Sequence, residues 1–213
     1  MIDRSIILKG IPDKLDQHWT TSLKFKNELL DFLGDKFIDK NCLEIGTFQG
    51  HTTRLLSYTF KKVVTIDDNQ QFMDKACELN TDRDNIEYLM GNIYEFGMLE
   101  FLETPTSWCI MDGLDKDIDV VFIDCVHKYS NVLVDTFNSL TNFKDIYLIY
   151  DDYGSAPQVK RAIDHLMELG LMEFVTFIGH KKGVDLWPPN HPEKLAGKEK
   201  VLYDWEGIIC KSK

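Results

Sequence analysis

Three aspartates and one histidine have the types and spacing best suited to chemistry in this 213-residue chain. Asp124 ends one apolar run with His127 just beyond it, and Asp151 and Asp152 end another. Carboxylate oxygens are preferred ligands of Mg²⁺ and Ca²⁺, and close like charges favour a bound cation. A histidine there could remove a hydroxyl proton near neutral pH. We predict a metal site beside a general base, although one aspartate could instead cap a helix and the histidine could be ordinary polar surface.

A turn with two glycines is the second candidate site. Residues 41–45 form a short apolar strand containing Glu44, and Gly46 and Gly50 follow before a helical pattern. Such a unit directs backbone N–H groups toward a small cavity, which suits a nucleotide or an anionic ligand. Gly46 lets the backbone approach a ligand, and Gly50 leaves room at the helix start. The spacing Glu-x-Gly-x-x-x-Gly is not the Gly-x-Gly-x-x-Gly of dinucleotide binders and favours a methyl donor, although glycine turns also occur without ligands.

Polar residues follow the next two predicted strands. Asp67 lies roughly 20 residues beyond Gly46, where an acid can accept hydrogen bonds from both hydroxyls of a ribose. Asp68 or Asn69 would then cap the following helix. Asn92 could bind an adenine edge or cap a helix, and the sequence leaves both interpretations open.

Alternating strand and helix patterns must position these residues. The predicted strands are rich in valine and isoleucine and lie at 42–45, 62–66, 86–90, 119–123 and 146–150. Helical patterns occupy 51–60, 70–79, 94–102 and 131–140. Apolar strands without polar alternation indicate burial on both faces, as in a parallel sheet covered by helices.

The two ends of the chain complete the predicted fold. A helical lead-in spans 13–33, and a helix at about 156–169 ends at Gly170. Strands at 173–178 and 206–210 are joined by residues 179–205, for which we predict no helix, so the last strand runs antiparallel. We expect one α/β domain over 1–213, with residues 1–40 as its lead-in. Its core is a Rossmann-like, doubly wound, seven-stranded, mostly parallel sheet with an antiparallel last strand and helices on both faces.

The amino-acid composition limits the kinds of binding partner that we expect. The net charge of −11 disfavours a nucleic-acid partner. Five cysteines without a Cys-x-x-Cys pair indicate reduced thiols, not disulfides or a zinc site. The N-terminal apolar run is too short for a signal peptide, and no apolar stretch approaches the ~20 residues of a membrane helix. We therefore expect a cytoplasmic protein with neither a membrane nor a nucleic-acid partner.

The fourth and fifth predicted strands resemble those of a known family. Residues 121–129 read Val-Phe-Ile-Asp-Cys-Val-His-Lys-Tyr, and residues 150–152 read Tyr-Asp-Asp. With the Glu-x-Gly-x-x-x-Gly turn and Asp67, they resemble class I S-adenosylmethionine-dependent methyltransferases over about 25–210. The small-molecule O-methyltransferases related to catechol and macrolide-sugar enzymes, with Phe-Ile-Asp-Gly-x-His-x-Tyr, look most similar. Cys125 replaces their usual glycine, Val126 their frequent acid, and residues 142–145 their Pro-Gly-Gly.

The resemblance implies an S-adenosylmethionine-dependent methyltransferase, in particular a Mg²⁺-dependent O-methyltransferase acting on a small hydroxylated molecule. Asp124 and His127 would be catalytic, and Asp124, Asp151 and Asp152 would hold the metal. The residues expected to bind the donor are Glu44, Gly46, Thr47, Phe48, Gly50, Thr52, Asp67, Asp68, Asn92, Asp124 and Val126.

Other functions remain compatible with these residues. They are an N- or protein methyltransferase without a metal, a non-catalytic S-adenosylmethionine-binding protein and, with least support, an NAD(P)-dependent oxidoreductase. The acceptor is not identified by the sequence, although His18 and Trp19 are candidate contacts. The long loop at 179–205, with Trp187 and Tyr203, either covers the acceptor as a lid, packs on the last strands or forms a homodimer contact.

Overall fold

The computed structural model describes residues 4–14, 20–91, 114, 117–187 and 189–213. The strands found there are β1 (Asn41–Ile45), β2 (Lys62–Asp67), β3 (Ile86–Met90), β4 (Val120–Ile123), β5 (Tyr147–Tyr150), β6 (Met172–Ile178) and β7 (Gly207–Ser212). The helices are α1 (Arg4–Ile7), α2 (Leu23–Leu33), α3 (His51–Thr59), α4 (Gln70–Leu79), α5 (Tyr129–Asn142), α6 (Pro157–Glu168) and α7 (Pro192–Leu195). A short 3₁₀ turn, Gly34–Phe37, follows α2.

The strands form a seven-stranded sheet in the order β3-β2-β1-β4-β5-β7-β6. Neighbours from β3 to β5 pair in parallel. The carboxyl ends of β2, β1, β4 and β5 therefore lie in a row at one edge of the sheet, which is where ligands bind in open α/β sheets. This confirms the predicted parallel order, and all four residues of β4 are buried.

Helices cover both faces of the sheet. One apolar cluster joins the sheet to α5 and α6 and includes Val132 and Ile163. The other joins it to α1, α2 and α3 and includes Leu29 and Leu56. A parallel sheet needs this double cover because both its faces are apolar, so the predicted doubly wound architecture is confirmed.

The C-terminal strands follow the prediction in direction but not in their connection. Strand β7 inserts between β5 and β6 and is antiparallel to both. The expectation that 179–205 lacks a helix is wrong, because α7 lies within it. Pro192 opens this helix, and the His191 ring accepts a hydrogen bond from the Glu193 N–H at 3.2 Å. Proline at a first helical position and a capping side chain together start a helical turn.

Helix α2 is shorter than the helix predicted from the lead-in at 13–33. It begins at Leu23 instead of residue 13, because Ser22 caps it: the Ser22 Oγ accepts a hydrogen bond from the Phe25 N–H at 3.0 Å. A capping serine adopts extended backbone and so ends the helix on that side. The predictions at His18, Trp19, Asn92 and the helix 94–102 lie outside the described residues. No helix within the described ranges is long and apolar enough to cross a membrane.

Candidate functional site

Gly46 brings the end of β1 against the end of β4. Its φ is +101°, and a Cβ there would lie 2.0 Å from the backbone carbonyl oxygen of Asp124. Only glycine fits such a close approach. The predicted donor turn and the first predicted metal ligand are therefore in direct backbone contact.

Gly50 lies where α3 packs against α4. It is the N-cap of α3 with φ +79°, and a Cβ there would lie 2.7 Å from the Cβ of Ala76 in α4. The room at the helix start is thus filled by α4, so Gly50 serves the packing of α3 on α4. A glycine of this kind is common where a helix packs closely in nucleotide-binding folds.

Asp67 joins the turns that follow β1 and β2. Its Oδ2 accepts a hydrogen bond from the Phe48 N–H at 2.8 Å, and its Oδ1 accepts one from the Asn69 N–H at 2.9 Å. Asn69 caps α4 through its side-chain oxygen, whereas Asp68 is exposed. Of the two proposed caps, Asn69 is the one found. Phe48 has φ +47°, and its ring packs on Phe72 with 4.4 Å between centroids.

Glu44 points into the interior of the protein. Its Oε2 accepts hydrogen bonds from Thr53 at 2.5 Å and Thr65 at 2.6 Å, and Thr65 also contacts the Thr47 hydroxyl at 2.6 Å. The other oxygen, Oε1, is buried and has no hydrogen-bond partner among the described residues. Burial raises the pKa of Glu44 to about 8, against the two threonine hydrogen bonds, which lower it. Thr52, the second residue of α3, is half-buried.

Asp124, His127 and Asp152 come together after β4 and β5. The His127 Nε2 lies 3.3 Å from the Asp124 Oδ1 and 3.3 Å from the Asp152 Oδ2. One donor atom from each of the three residues lies within 4.8 Å of the others. The chain bends at Asp152, whose φ is +57°. The bend accompanies the placement of Asp152 beside Asp124 and His127, whereas Asp151, the third predicted ligand, is not a member of this group.

Lys14 lies inside this acidic group, and sequence reasoning missed it. Its Nζ is 3.3 Å from the Asp151 Oδ2, 3.4 Å from the Asp152 Oδ1 and 3.8 Å from the Glu206 Oε1, and its side chain is only 3% exposed. The one signal available was a lone lysine among polar residues near the N-terminus, which carries no information on its distant partners. Asp151 therefore faces a lysine, while its Oδ1 is buried without a hydrogen-bond partner in the described part of the chain.

The pKa values of the residues around Lys14 shift in different directions. Burial lowers the pKa of Lys14, but Asp151, Asp152 and Glu206 together outweigh it and hold that pKa well above its usual value. Burial raises the pKa of Asp151. Burial acts on Asp152 in the same direction, but Lys14 and His127 overcome it and hold its pKa below the usual value.

The neighbouring aspartates favour the charged form of His127. Burial lowers its pKa, yet the hydrogen bond to Asp124 and the charge of Asp152 raise it to about 9. Its side chain remains 43% exposed, so solvent and an acceptor can reach it. Val126, on the same loop, is also exposed.

The donor set fits a hard divalent cation. Asp124 and Asp152 supply carboxylate oxygens to this group, whereas Asp151 lies outside it and contacts Lys14. Oxygen-rich sets suit Mg²⁺, whereas an imidazole nitrogen suits softer metals, so His127 is better placed as a neighbour of such an ion than as its ligand.

A cavity of about 750 Å³ lies along α6, and its lining residues do not include Asp124, His127 or Asp152. Tyr129 lies on the chain two residues after His127, and Tyr153 directly follows Asp152. The cavity is lined by Tyr129, Tyr153, Pro157, Lys160, Arg161, Asp164, His165, Glu168 and Tyr203. Its walls therefore come from the segments after β4, after β5 and between β6 and β7, and its two cations balance its two acids.

Known proteins resemble this chain mainly in structure. No protein-family model matches it. The uncharacterized protein R132 of Acanthamoeba polyphaga mimivirus is 26% identical over 142 residues, which are 61% of this chain and 60% of that protein. The chain thus spans about three-fifths of that relative's length.

Three solved structures illustrate the structural match. The N-methyltransferase NodS of Bradyrhizobium japonicum with bound S-adenosylhomocysteine has a TM-score of 0.60 at 14% identity, covering 88% of this chain and 85% of NodS. A Klebsiella pneumoniae protein provisionally described as an O-methyltransferase has a TM-score of 0.55 at 16% identity, covering 99% of this chain and 94% of that protein. A Pyrococcus horikoshii protein provisionally described as an RNA methyltransferase has a TM-score of 0.60 at 14% identity, covering 98% of this chain and 96% of that protein. The chain therefore has the class I S-adenosylmethionine-dependent methyltransferase fold, as its resemblance implied.

Proposed function

We propose that this protein is a methyltransferase that transfers the methyl group of S-adenosylmethionine to a hydroxyl of a small molecule, with Mg²⁺ at the acidic site. The observation that carries this proposal is the contact between Gly46 and the Asp124 carbonyl. It holds the donor turn of β1 directly beside the cluster of Asp124, His127 and Asp152. A donor and a hydroxyl positioned there would meet at the edge of the sheet.

The donor side of the proposal uses the ends of β1, β2 and β4. In the Gly46–Gly50 turn the N–H groups of Gly46, Phe48 and Gly50 already donate within the protein, so Thr47 and Gln49 are the ones that could donate to a ligand. Asp67 retains free lone pairs after its two backbone hydrogen bonds. Those lone pairs can accept ribose hydroxyls. Asp124 and Val126 border the same edge. Glu44 would act indirectly, because its carboxyl group is fully buried.

The acceptor side would align one oxygen with the donor. Asp124 and Asp152 would hold the cation, which when bound lowers the pKa of a coordinated hydroxyl. Asp124 and Asp152 flank the His127 Nε2 at 3.3 Å each, and this orients the imidazole toward the same point. His127 would take the acceptor proton at Nε2 once that nitrogen has released its own. Holding the donor and the acceptor in the right geometry lowers the barrier to the transfer between them.

The cavity along α6 is large enough for a small molecule, and we propose it as an acceptor pocket although its lining lies outside the acidic group. Its volume of about 750 Å³ lies within the range of ~300–1,000 Å³ typical of small-molecule sites. Tyrosine rings offer faces for a ring or a sugar, and balanced charges suit a neutral molecule. The net charge of −11 disfavours an RNA acceptor, despite the fold shared with a provisional RNA methyltransferase.

A metal-free N- or protein methyltransferase is the second candidate. The observation that favours it is Lys14, which with His127 already supplies two positive charges to the acidic group. Turnover of an amine acceptor that is unaffected by EDTA would support this candidate over the first.

The donor proposal can be tested by calorimetric titration with S-adenosylhomocysteine, with Mg²⁺ and again with EDTA. We expect binding in the micromolar range. Asp67→Ala should weaken it about 10- to 100-fold, because a hydrogen bond to a charged acceptor contributes ~1.5–3 kcal/mol. Asp74→Ala, an exposed aspartate of α4 that contacts Gln70, is the matched control and should bind normally. No binding under either condition would contradict the methyltransferase proposal.

The acceptor proposal requires turnover. A panel of phenols, sugars and amines can be screened with isotopically labelled donor, with Mg²⁺ or EDTA. We expect hydroxyl acceptors to be methylated only with Mg²⁺ and the His127→Ala variant to lose ~10²–10⁴-fold in rate. Full turnover of that variant with normal donor binding would exclude His127 as the base.

A further inference from the structure

Lys14 lies against two of the three carboxyl groups proposed to hold a metal ion, Asp151 and Asp152. Its ammonium lies within 3.4 Å of one oxygen from each of two adjacent carboxyl groups, Asp151 and Asp152, and 3.8 Å from the Glu206 Oε1. All four side chains are at least nine-tenths buried. An ammonium so enclosed by carboxylates neutralises them much as a bound cation does.

The ammonium and a divalent cation cannot share these oxygens. Two positive charges in contact with the same carboxylates repel strongly where water is excluded. The Asp151 Oδ1 is also buried, and no described residue bonds to it, so Asp151 has an acceptor that Lys14 leaves unused. A divalent cation, which takes six or more oxygen ligands, would use the oxygens that Lys14 now holds.

We propose that Lys14 and a divalent cation compete for Asp151 and Asp152, so that Lys14 sets the affinity of this site for metal. In this arrangement the metal binds by displacing the Lys14 ammonium, and the protein without metal keeps its acidic group neutralised. This inference rests on the proposed function, since it concerns the metal of the same site. Lys14 is thus a positioning residue that acts through the two aspartates.

The surroundings allow the Lys14 side chain to leave without unfolding the segment that carries it. Lys26, a buried residue of α2, donates hydrogen bonds to the Pro12 carbonyl at 3.0 Å and the Thr20 hydroxyl at 3.2 Å. The Asp13 carboxylate accepts a hydrogen bond from the Leu23 N–H at 3.1 Å. These contacts anchor the backbone on both sides of Lys14. A lysine has a flexible four-carbon stem, so displacement requires a change of rotamers only.

The wild-type protein provides the first test. An amine-acylating reagent is applied with and without Mg²⁺ at equal ionic strength, and labelling of each lysine is read by mass spectrometry. We expect Lys14 to be protected without Mg²⁺ and labelled at least about tenfold faster with it, because it then reaches solvent. Lys26 should stay protected, and the exposed Lys75 should be labelled in both samples. Equal labelling of Lys14 in both samples would overturn the competition.

Variants provide the second test. Calorimetric titration with Mg²⁺ should show binding at least about tenfold tighter for Lys14→Met than for wild type. The control is Lys36→Met, which removes a lysine that lies over the Phe32 and Phe37 rings, and it should bind Mg²⁺ as wild type does. Equal affinities for Lys14→Met and wild type, or no binding to either, would overturn the proposal.

Failure of the two proposals can be told apart. S-adenosylhomocysteine binding is measured on the same samples. Normal binding with unchanged Lys14 labelling overturns only the competition between lysine and metal. Absent binding contradicts the methyltransferase proposal, whatever Lys14 does. If Lys14→Met does not fold, the labelling of wild type alone still decides the competition.

Discussion

Gly46→Ala probes the contact on which the site depends. The new Cβ would lie 2.0 Å from the Asp124 carbonyl oxygen and 2.7 Å from its carbon. Both neighbours are backbone atoms at the end of β4, so no side chain can rotate away. Since non-bonded Cβ contacts closer than 3.0 Å are essentially never seen, the ends of β1 and β4 must separate by about 1 Å.

The expected cost combines two terms. A left-handed φ of +101° costs an alanine ~1–2 kcal/mol. Overpacking against backbone adds ~1–3 kcal/mol. We therefore expect Gly46→Ala to lower the free energy of unfolding by about 2–5 kcal/mol. A displacement of ~1 Å at the donor turn should also weaken binding of S-adenosylhomocysteine by at least tenfold.

Gly170→Ala separates the two terms. Gly170 has φ +73°, but no described residue beyond its chain neighbours has an atom within 4 Å of the place a Cβ would take, and it sits at the end of α6, away from the site. This control should lose only ~1–2 kcal/mol and bind the ligand normally. Urea unfolding measures the stability of both variants, and calorimetry measures binding. Equal stability losses in the two variants, with normal ligand binding in both, would refute the reasoning.

Two further predictions concern buried acids. The pKa of Glu44 is raised from 4.5 to about 8, so between these values the folded protein holds a proton that the unfolded chain releases. The free energy of unfolding should therefore fall as pH rises through that window, by at most about 1.4 kcal/mol per pH unit. Urea unfolding at several pH values should show this pH dependence in wild type and its loss in Glu44→Gln. The same pH dependence in both proteins would contradict the prediction. Glu206→Ala should cost about 3–5 kcal/mol, because it leaves the Ser22 N–H, the Ser22 hydroxyl and the His180 N–H unpaired and removes a partner of Lys14. A loss under about 1 kcal/mol in the same assay would argue against a structural role for Glu206.

The sequence predicted the sheet well because its signals are local. Uninterrupted apolar runs in β1, β2, β4 and β5 reflect burial on both faces, and periodic apolar residues mark the helices between them. The bounds of α4 and β3 match those predicted from the sequence. Local signals were weaker at the N-terminus, where the helical periodicity of 13–33 was overridden by the cap at Ser22.

In the candidate site, too, some features have a local sequence signal and others depend on tertiary packing. The sequence placed Asp124 and the Asp151–Asp152 pair at strand ends because they follow apolar strands, and a parallel sheet brings such ends to one edge. The φ of +57° at Asp152, which directs it to His127, follows from the packing around the bend and has no signal in the residue type beyond the tolerance of aspartate for that conformation.

Only the tertiary structure decided how the acids are neutralised. Lys14 meets Asp151 across 137 residues of chain, and Ser22 meets Glu206 across 184. Hydrophobic periodicity determines which segments become strands and helices and which of their faces are buried, since that information repeats every few residues. The partner of a single polar side chain depends on where the completed fold brings two distant segments together, and no local pattern records it.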